Sequence, residues 1–241
     1  MVRHTEMAKT LVCSPTYNEA QNIERLVTEV LAAAPAAEML VVDDGSPDGT
    51  GELVAQRMLK EPRLYLIRRP GKLGLGTAYL AGFAYGLQHG HDRVITMDAD
   101  FSHPPAAIPE LVRAADGGAD LAIGSRYTAG GSIVGWGMDR RLLSAGANAF
   151  ARRLLGLRTR DCTGGFRCYM RGAVEHLVRE PLRSSGYSAL IELLARCERA
   201  GFRIREIPIA FVDRQRGQSK ISRQEIIYAI GTVLRLARRR P

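Results

Sequence analysis

The chain has 241 residues, of which 46% are hydrophobic and 24% charged, and its formal net charge is +9. These are ordinary values for a soluble globular enzyme of one large domain, and no uninterrupted apolar run reaches the roughly 18 residues that a membrane span needs. The four cysteines form no C-x-x-C pair, which argues against a zinc site or a disulfide framework and points to reduced thiols in a cytosolic protein.

In chain order, the opening "MVRHTEMAKT" lacks an apolar core, so no signal peptide is expected. Residues 10–18 read as a strand entering a turn. Residues 19–34 read as an amphipathic helix with Ile23, Leu26, Val27, Val30 and Leu31 on one face. A strand (38–44), a turn ("GSPDGT"), a helix (51–60) and a strand (63–69) follow. The Gly-rich "PGKLGLG" then leads to a helix (77–90), a strand (93–98), a helix (105–116) and a strand (120–124). This alternation predicts a mostly parallel sheet with helices on both faces, with ligands beyond the carboxyl ends of its strands. "SPTYNE", "DDGSPDGT" and "DADFSHPP" all fall there.

After residue 125 the rhythm loosens. "RYTAGGSIVGWGMDRR" reads as a mobile loop, with helices near 140–155, 172–179 and 186–200 and strand-like pieces near 165–170 and 203–212. In the last stretch Ser222 and Glu225 form a capping box. Ile226, Ile227, Ile230, Val233, Leu234 and Ala237 share a helical face, and Arg235, Arg238, Arg239 and Arg240 crowd the end. We read residues 1–221 as the catalytic domain and 222–241 as an amphipathic helix for an anionic membrane surface, partly packed on the domain.

Charge is unevenly placed. Residues 1–120 hold 11 Lys+Arg against 16 Asp+Glu, and residues 121–241 hold 23 against 9. Only four of the 34 basic residues are lysine. A codon bias accounts for arginine over lysine but not for the asymmetry. A basic second half implies an anionic partner: nucleic acid, a phospholipid surface or a phosphorylated substrate. No helix-turn-helix, RNP or zinc-finger pattern is present, so nucleic acid is not expected.

Asp98 and Asp100 stand one residue apart at the end of an apolar strand. On a strand such carboxylates face the same side and repel, and burial worsens the conflict. A divalent cation removes it, and oxygen-only ligands favour Mg2+ or Mn2+, which also bind substrate phosphates. Alone, D-x-D is more often a solvated turn; the strand-end context reverses that. Asp43 and Asp44 form a second acidic cluster, suited to a base or ribose, with Asp48 shaping the turn. "GKLGLG" is no P-loop; it reads as a turn, with Lys72 near phosphate as the lesser alternative. Tyr17 suits stacking on a base, His103 shapes a turn, and Trp136 either packs on the domain or touches an apolar ligand chain.

"PTYNE", "VVDDGSPDGT", "MDADFSHPP", "GSRYTAGG", "TGGFRCY" and "FVDRQRGQSK" occur in an order that resembles the dolichol- or polyprenol-phosphate mannose synthases, inverting family 2 glycosyltransferases of GT-A fold, over about residues 10–222. The resemblance implies a GDP-sugar pocket from Pro15, Tyr17, Glu19, Val42, Asp44, Asp98 and Ala99, with Arg126, Arg214 and Lys220 on its phosphates. It implies a metal held by Asp98 and Asp100, with Ser102, where the family often has Gln, acting through water. Arg126, Arg140 or Arg141, and Ser144 would hold the acceptor phosphate. The implied reaction moves mannose from GDP-mannose to a polyprenyl phosphate on the cytoplasmic face of a membrane. UDP-glucose is the alternative donor, and a separate membrane-anchoring subunit would suit a chain without a span.

Overall fold

A computed structural model of the chain describes residues 8–186, 188–213 and 223–238. The expected alternation is present: β1 (Thr10–Thr16), α1 (Ile23–Ala33), β2 (Ala37–Asp43), α2 (Thr50–Met58), β3 (Leu64–Arg68), α3 (Leu75–Gln88) and β4 (Arg93–Thr96). A 3-10 turn (Pro105–Ala107) runs into α4 (Ile108–Asp116), followed by β5 (Leu121–Ser125). The second half adds β6 (Ser132–Val134), α5 (Met138–Leu155), β7 (Arg167–Met170), α6 (Arg171–Val178) and α7 (Ser188–Arg199). It closes with β8 (Ile204–Pro208), β9 (Ala210–Val212) and α8 (Arg223–Ala237).

Seven strands form one sheet in the order β3-β2-β1-β4-β7-β5-β8. Its pairings are parallel except at β7, which runs antiparallel to both β4 and β5. Side chains alternate through the pleat and feed two cores. Leu11, Cys13, Leu40 and Val42 pack with Tyr79 and Phe83 of α3 on one face. Val12, Met39, Val41 and Ile95 pack with Ile23, Leu26 and Val30 of α1 and Leu111 of α4 on the other. The apolar face read for α1 is the buried one.

Beyond β5 the chain departs from the loop expected at 126–141. β6 forms inside it and pairs with β9 in a small parallel ribbon. This explains why residues 203–212 contain two strands: β8 extends the main sheet and β9 leaves it for β6. The terminal helix buries only part of its expected face. Thr232, Val233 and Leu236 are buried, while Tyr228, Ile230 and Leu234 are 62%, 44% and 45% exposed. Packing of α8 on α5 and α7 selects that side. The capping box at Ser222, Arg239 and Arg240, and the side chains of Ile226 and Ile227, lie outside the described residues.

α3 approaches the sheet closely because it carries glycine where other helices carry side chains. A Cβ at Gly82 would meet Cys13 Sγ at 2.3 Å, and one at Gly86 would meet Val94 Cγ2 at 2.7 Å. Alanine in place of glycine inside a helix normally stabilises by up to about 1 kcal/mol. Overpacking against Cys13 reverses that sign, so Gly82→Ala should lower the free energy of unfolding in urea by about 1–3 kcal/mol.

Candidate active site

The carboxyl ends of β1, β2, β4 and β5 form one rim of the sheet, along which Pro15, Tyr17, Val42, Asp44, Asp98, Ala99 and Arg126 lie. β4 ends at Thr96, so Asp98 and Asp100 stand just past the strand in a turning segment. Phe101 takes a left-handed conformation (φ 63°) there, and its ring lies under the Arg25 guanidinium, 4.5 Å away. The turn aims each acid separately. Asp100 is buried and accepts hydrogen bonds from Ser102 N–H at 3.1 Å and Ser102 Oγ at 2.6 Å. Asp98, its side chain 27% exposed, has Oδ1 3.3 Å from the Tyr79 hydroxyl. Its N–H donates to His103 Nδ1 at 2.9 Å. His103 is buried and stacked on Phe166, which agrees with a turn-shaping role. Burial, and then the Asp98 charge, pushes the Tyr79 hydroxyl well above its ordinary value, so it is a neutral donor.

The donor set around Asp98 and Asp100 is oxygen only. Two oriented carboxylates and a hydroxyl suit a hard divalent cation that leaves its other positions to water and phosphate. Ser102 enters chiefly as the group that orients Asp100.

At the end of β2 the two acids divide. Asp43 accepts from Thr16 Oγ1 at 2.8 Å, Ser46 N–H at 3.0 Å and Ser46 Oγ at 2.5 Å, and so holds the turn. Asp44 pairs with Arg69, whose Nε is 2.5 Å from its Oδ1; both side chains are about nine-tenths buried. Arg69 also donates to Thr77 Oγ1 and the Gly74 carbonyl, so the Gly-rich turn is tied to Asp44. Asp48 accepts from Ala20 N–H and from the Thr50 N–H and hydroxyl, shaping the turn as expected. Glu19 accepts from Asn22 Nδ2 at 2.8 Å. Lys72 Nζ lies 5.2 Å from the centre of the Tyr17 ring.

On the basic side, Arg126 follows β5 and is buried. Its Nε and Nη2 donate to Asp161 at 2.8 and 2.6 Å, and Nη2 also donates to Thr163 Oγ1. Burial alone would raise Asp161, but the Arg126 charge and its hydrogen bonds outweigh that and hold the carboxyl below its ordinary 3.8. The guanidinium expected to grip a phosphate is therefore already paired. Around it stand the rings of Tyr127, Trp136 and Phe211, 5.0–5.7 Å away. Trp136 is buried and packs edge-on against Phe211, which settles its two readings in favour of packing. Arg140 lies 4.1 Å over the Trp136 ring and pairs with Asp213 at 2.9 Å. Arg141 instead spends Nε and Nη2 on the carbonyls of Trp136 and Ile133. Ser144 Oγ accepts from Tyr127 Oη at 2.7 Å. Arg214 and Lys220 lie outside the described residues.

Sequence reading missed Arg69, Tyr79, Asp161 and Phe211. Asp161 directly precedes "CTGGF", and Arg69 ends the strand before the Gly-rich turn; these adjacencies were the available signals.

The family model described as glycosyl transferase family 2 matches residues 11–178. The chain belongs to that family. It is 46% identical over 226 residues to the polyprenol monophosphomannose synthase of Mycolicibacterium smegmatis, covering 93% of this chain and 84% of the relative. It is 40% identical over 214 residues to the undecaprenyl-phosphate mannosyltransferase of Micrococcus luteus, covering 89% and 88%. Among solved structures, the fold resembles glucosyl-3-phosphoglycerate synthase from Mycobacterium tuberculosis in complex with Mn2+, uridine diphosphate and phosphoglyceric acid. That likeness has TM-score 0.70 at 21% identity and covers 96% of this chain and 79% of the other. It also resembles a mannosyltransferase from Pyrobaculum calidifontis in complex with GDP-Man and Mn2+, with TM-score 0.64 at 18% identity over 98% of this chain and 66% of that one. The family and these folds agree with the GT-A architecture expected from the sequence.

The Arg126–Asp161 pair yields a stability prediction. Asp161→Asn leaves a buried guanidinium uncompensated and should cost about 3–5 kcal/mol in urea unfolding. Because the folded carboxyl lies below its ordinary value, the pair's contribution is complete above pH 3.8 and is lost as pH falls through the folded value. The wild-type advantage over Asp161→Asn should therefore shrink below about pH 4 and persist at neutral pH.

Proposed function

We propose that this chain transfers mannose from GDP-mannose to a polyprenyl monophosphate, with inversion at the anomeric carbon and with the help of Mg2+ or Mn2+. The observation that carries this reading is the juxtaposition on one sheet rim of an oriented acid pair, Asp98 and Asp100, with the arginine-rich second half. The two relatives named for mannose transfer to a polyprenyl or undecaprenyl phosphate support it.

Pro15, Tyr17, Glu19, Val42, Asp44 and Ala99 would line the nucleotide pocket, with the Arg69 pair fixing the direction of the Asp44 carboxylate. Asp98 and Asp100 would hold the cation, which supplies Lewis-acid neutralisation of the leaving diphosphate. Arg214 and Lys220, outside the described residues, would bind the donor phosphate on the strength of the family resemblance alone. On the acceptor side, Arg140 is the better phosphate ligand than Arg141, whose donors are committed to carbonyls. Arg126, paired with Asp161, would complete the acceptor wall through its field and by anchoring the aromatic floor under Arg140. Ser144, hydrogen-bonded to Tyr127, stands one turn of α5 beyond Arg140.

A lipid monophosphate has its second ionisation near pH 6, so at neutral pH it is already largely an oxyanion. Positioning and charge neutralisation, rather than a general base, are what the site must provide. An acceptor oxygen forms the bond to the anomeric carbon as the bond to the diphosphate oxygen breaks, and GDP leaves with that electron pair. An in-line path inverts the configuration.

Among the described residues no helix is long and apolar enough to cross a membrane. α5 and α8 instead pack together; α5 exposes Met138 (71%), Leu142 (67%) and Leu143, α8 exposes Tyr228, Ile230 and Leu234, and the same helices and their ends carry Arg140, Arg153 and Arg238. We read this as the surface that meets an anionic bilayer and receives the prenyl chain.

The test is extraction of labelled mannose into the organic phase from GDP-mannose and polyprenyl phosphate, with and without EDTA. EDTA-sensitive label in the lipid is expected, with Asp100→Ala lowering the rate by about a hundredfold or more. Label from UDP-glucose and none from GDP-mannose would overturn the donor, and EDTA-insensitive transfer would overturn the metal.

A further inference from the structure

We propose that Tyr79 is a positioning residue for the cation, acting through the carboxylate of Asp98; this rests on the reading that Asp98 holds that cation. Asp98 lies beyond β4, where the sheet no longer fixes its backbone. Three segments converge on it. From α3, the wholly buried Tyr79 places its hydroxyl 3.3 Å from Oδ1. From the following turn, His103 accepts the Asp98 N–H at 2.9 Å, and its Nδ1 stands 4.0 Å from Oδ2. From the segment just before β7, Gly165 covers the contact: a Cβ there would meet Tyr79 Oη at 2.9 Å and Asp98 Oδ1 at 3.5 Å. The Gly165 carbonyl accepts from Thr96 Oγ1 at 2.7 Å, which locks that cover to the end of β4.

Space-filling does not explain the hydroxyl. The Tyr79 ring belongs to an apolar core with Phe83 and Leu11, where phenylalanine would pack as well and would bury no polar atom. The phenol instead reaches out of that core to a carboxylate at the rim. By holding Oδ1, it fixes the plane of the carboxylate, with Oδ2 standing 4.0 Å from His103 Nδ1. Outer hydrogen-bond partners of this kind are typically worth about 10–100-fold in metal affinity. A separation of 3.3 Å is long for a hydroxyl bond, so the lower end of that range is expected.

The experiment is Mn2+ titration of the full chain in the presence of GDP, followed by electron paramagnetic resonance of the unbound ion, on wild type, Tyr79→Phe and Gly165→Ala. Tyr79→Phe should raise the Mn2+ Kd about tenfold while Tm moves by no more than about 2–4 °C. Gly165→Ala should weaken Mn2+ binding too, because its methyl displaces the hydroxyl. An unchanged Kd in Tyr79→Phe, whatever happens to Tm, overturns the proposal and leaves the metal reading intact. Absence of Mn2+ binding by wild type overturns the metal reading and this proposal with it.

Discussion

Two carboxylates stand one residue apart just past the end of β4, each aimed by its own partners, and the rest of the site is arranged around them. Asp100 is held by the Ser102 amide and hydroxyl, Asp98 by Tyr79 and, through its backbone, by His103. Each of these partners fixes a direction, so the two carboxylates are held in place by their surroundings. The sheet makes this affordable only at its rim, where β4 has ended and solvent reaches Asp98.

A second arrangement balances the first. Arg126 and Asp161 form a buried pair next to the acid site, and the rings of Tyr127, Trp136 and Phe211 enclose it. Buried ion pairs contribute little net stability and matter more for fixing geometry. Here the pair anchors an aromatic floor on which Arg140 lies, tethered by Asp213. The family 2 match, over residues 11–178, spans both the acid pair and this buried pair.

Much of the first half was legible because periodicity reports local structure. The α1 face and the strands ending at "SPTYN", "VVDD" and "MDAD" come from residues a few positions apart, and a parallel sheet gathers such ends at one rim. The D-x-D pair was legible for the same reason. What stayed hidden depends on contacts distant in sequence. β7 enters the sheet antiparallel between β4 and β5, β6 finds β9, and Arg126 finds Asp161 35 residues away. Tyr79 looked like one more apolar residue of a helix, since nothing nearby announces that its hydroxyl reaches Asp98. The face of α8 was legible only in part: Val233 is covered while Ile230 and Leu234 are not, because the helix pattern alone does not say which side α5 and α7 will cover.

The proposed reading is that the acids of the sheet rim serve the donor and Arg140 serves the acceptor phosphate. Steady-state kinetics of Arg140→Ala, varied separately in GDP-mannose and in polyprenyl phosphate, test it most directly. The account predicts a KM for polyprenyl phosphate raised by about tenfold or more, as for loss of a charged phosphate contact worth roughly 1.5–3 kcal/mol, with the KM for GDP-mannose unchanged. An equal rise in both would contradict the division of labour between the two halves.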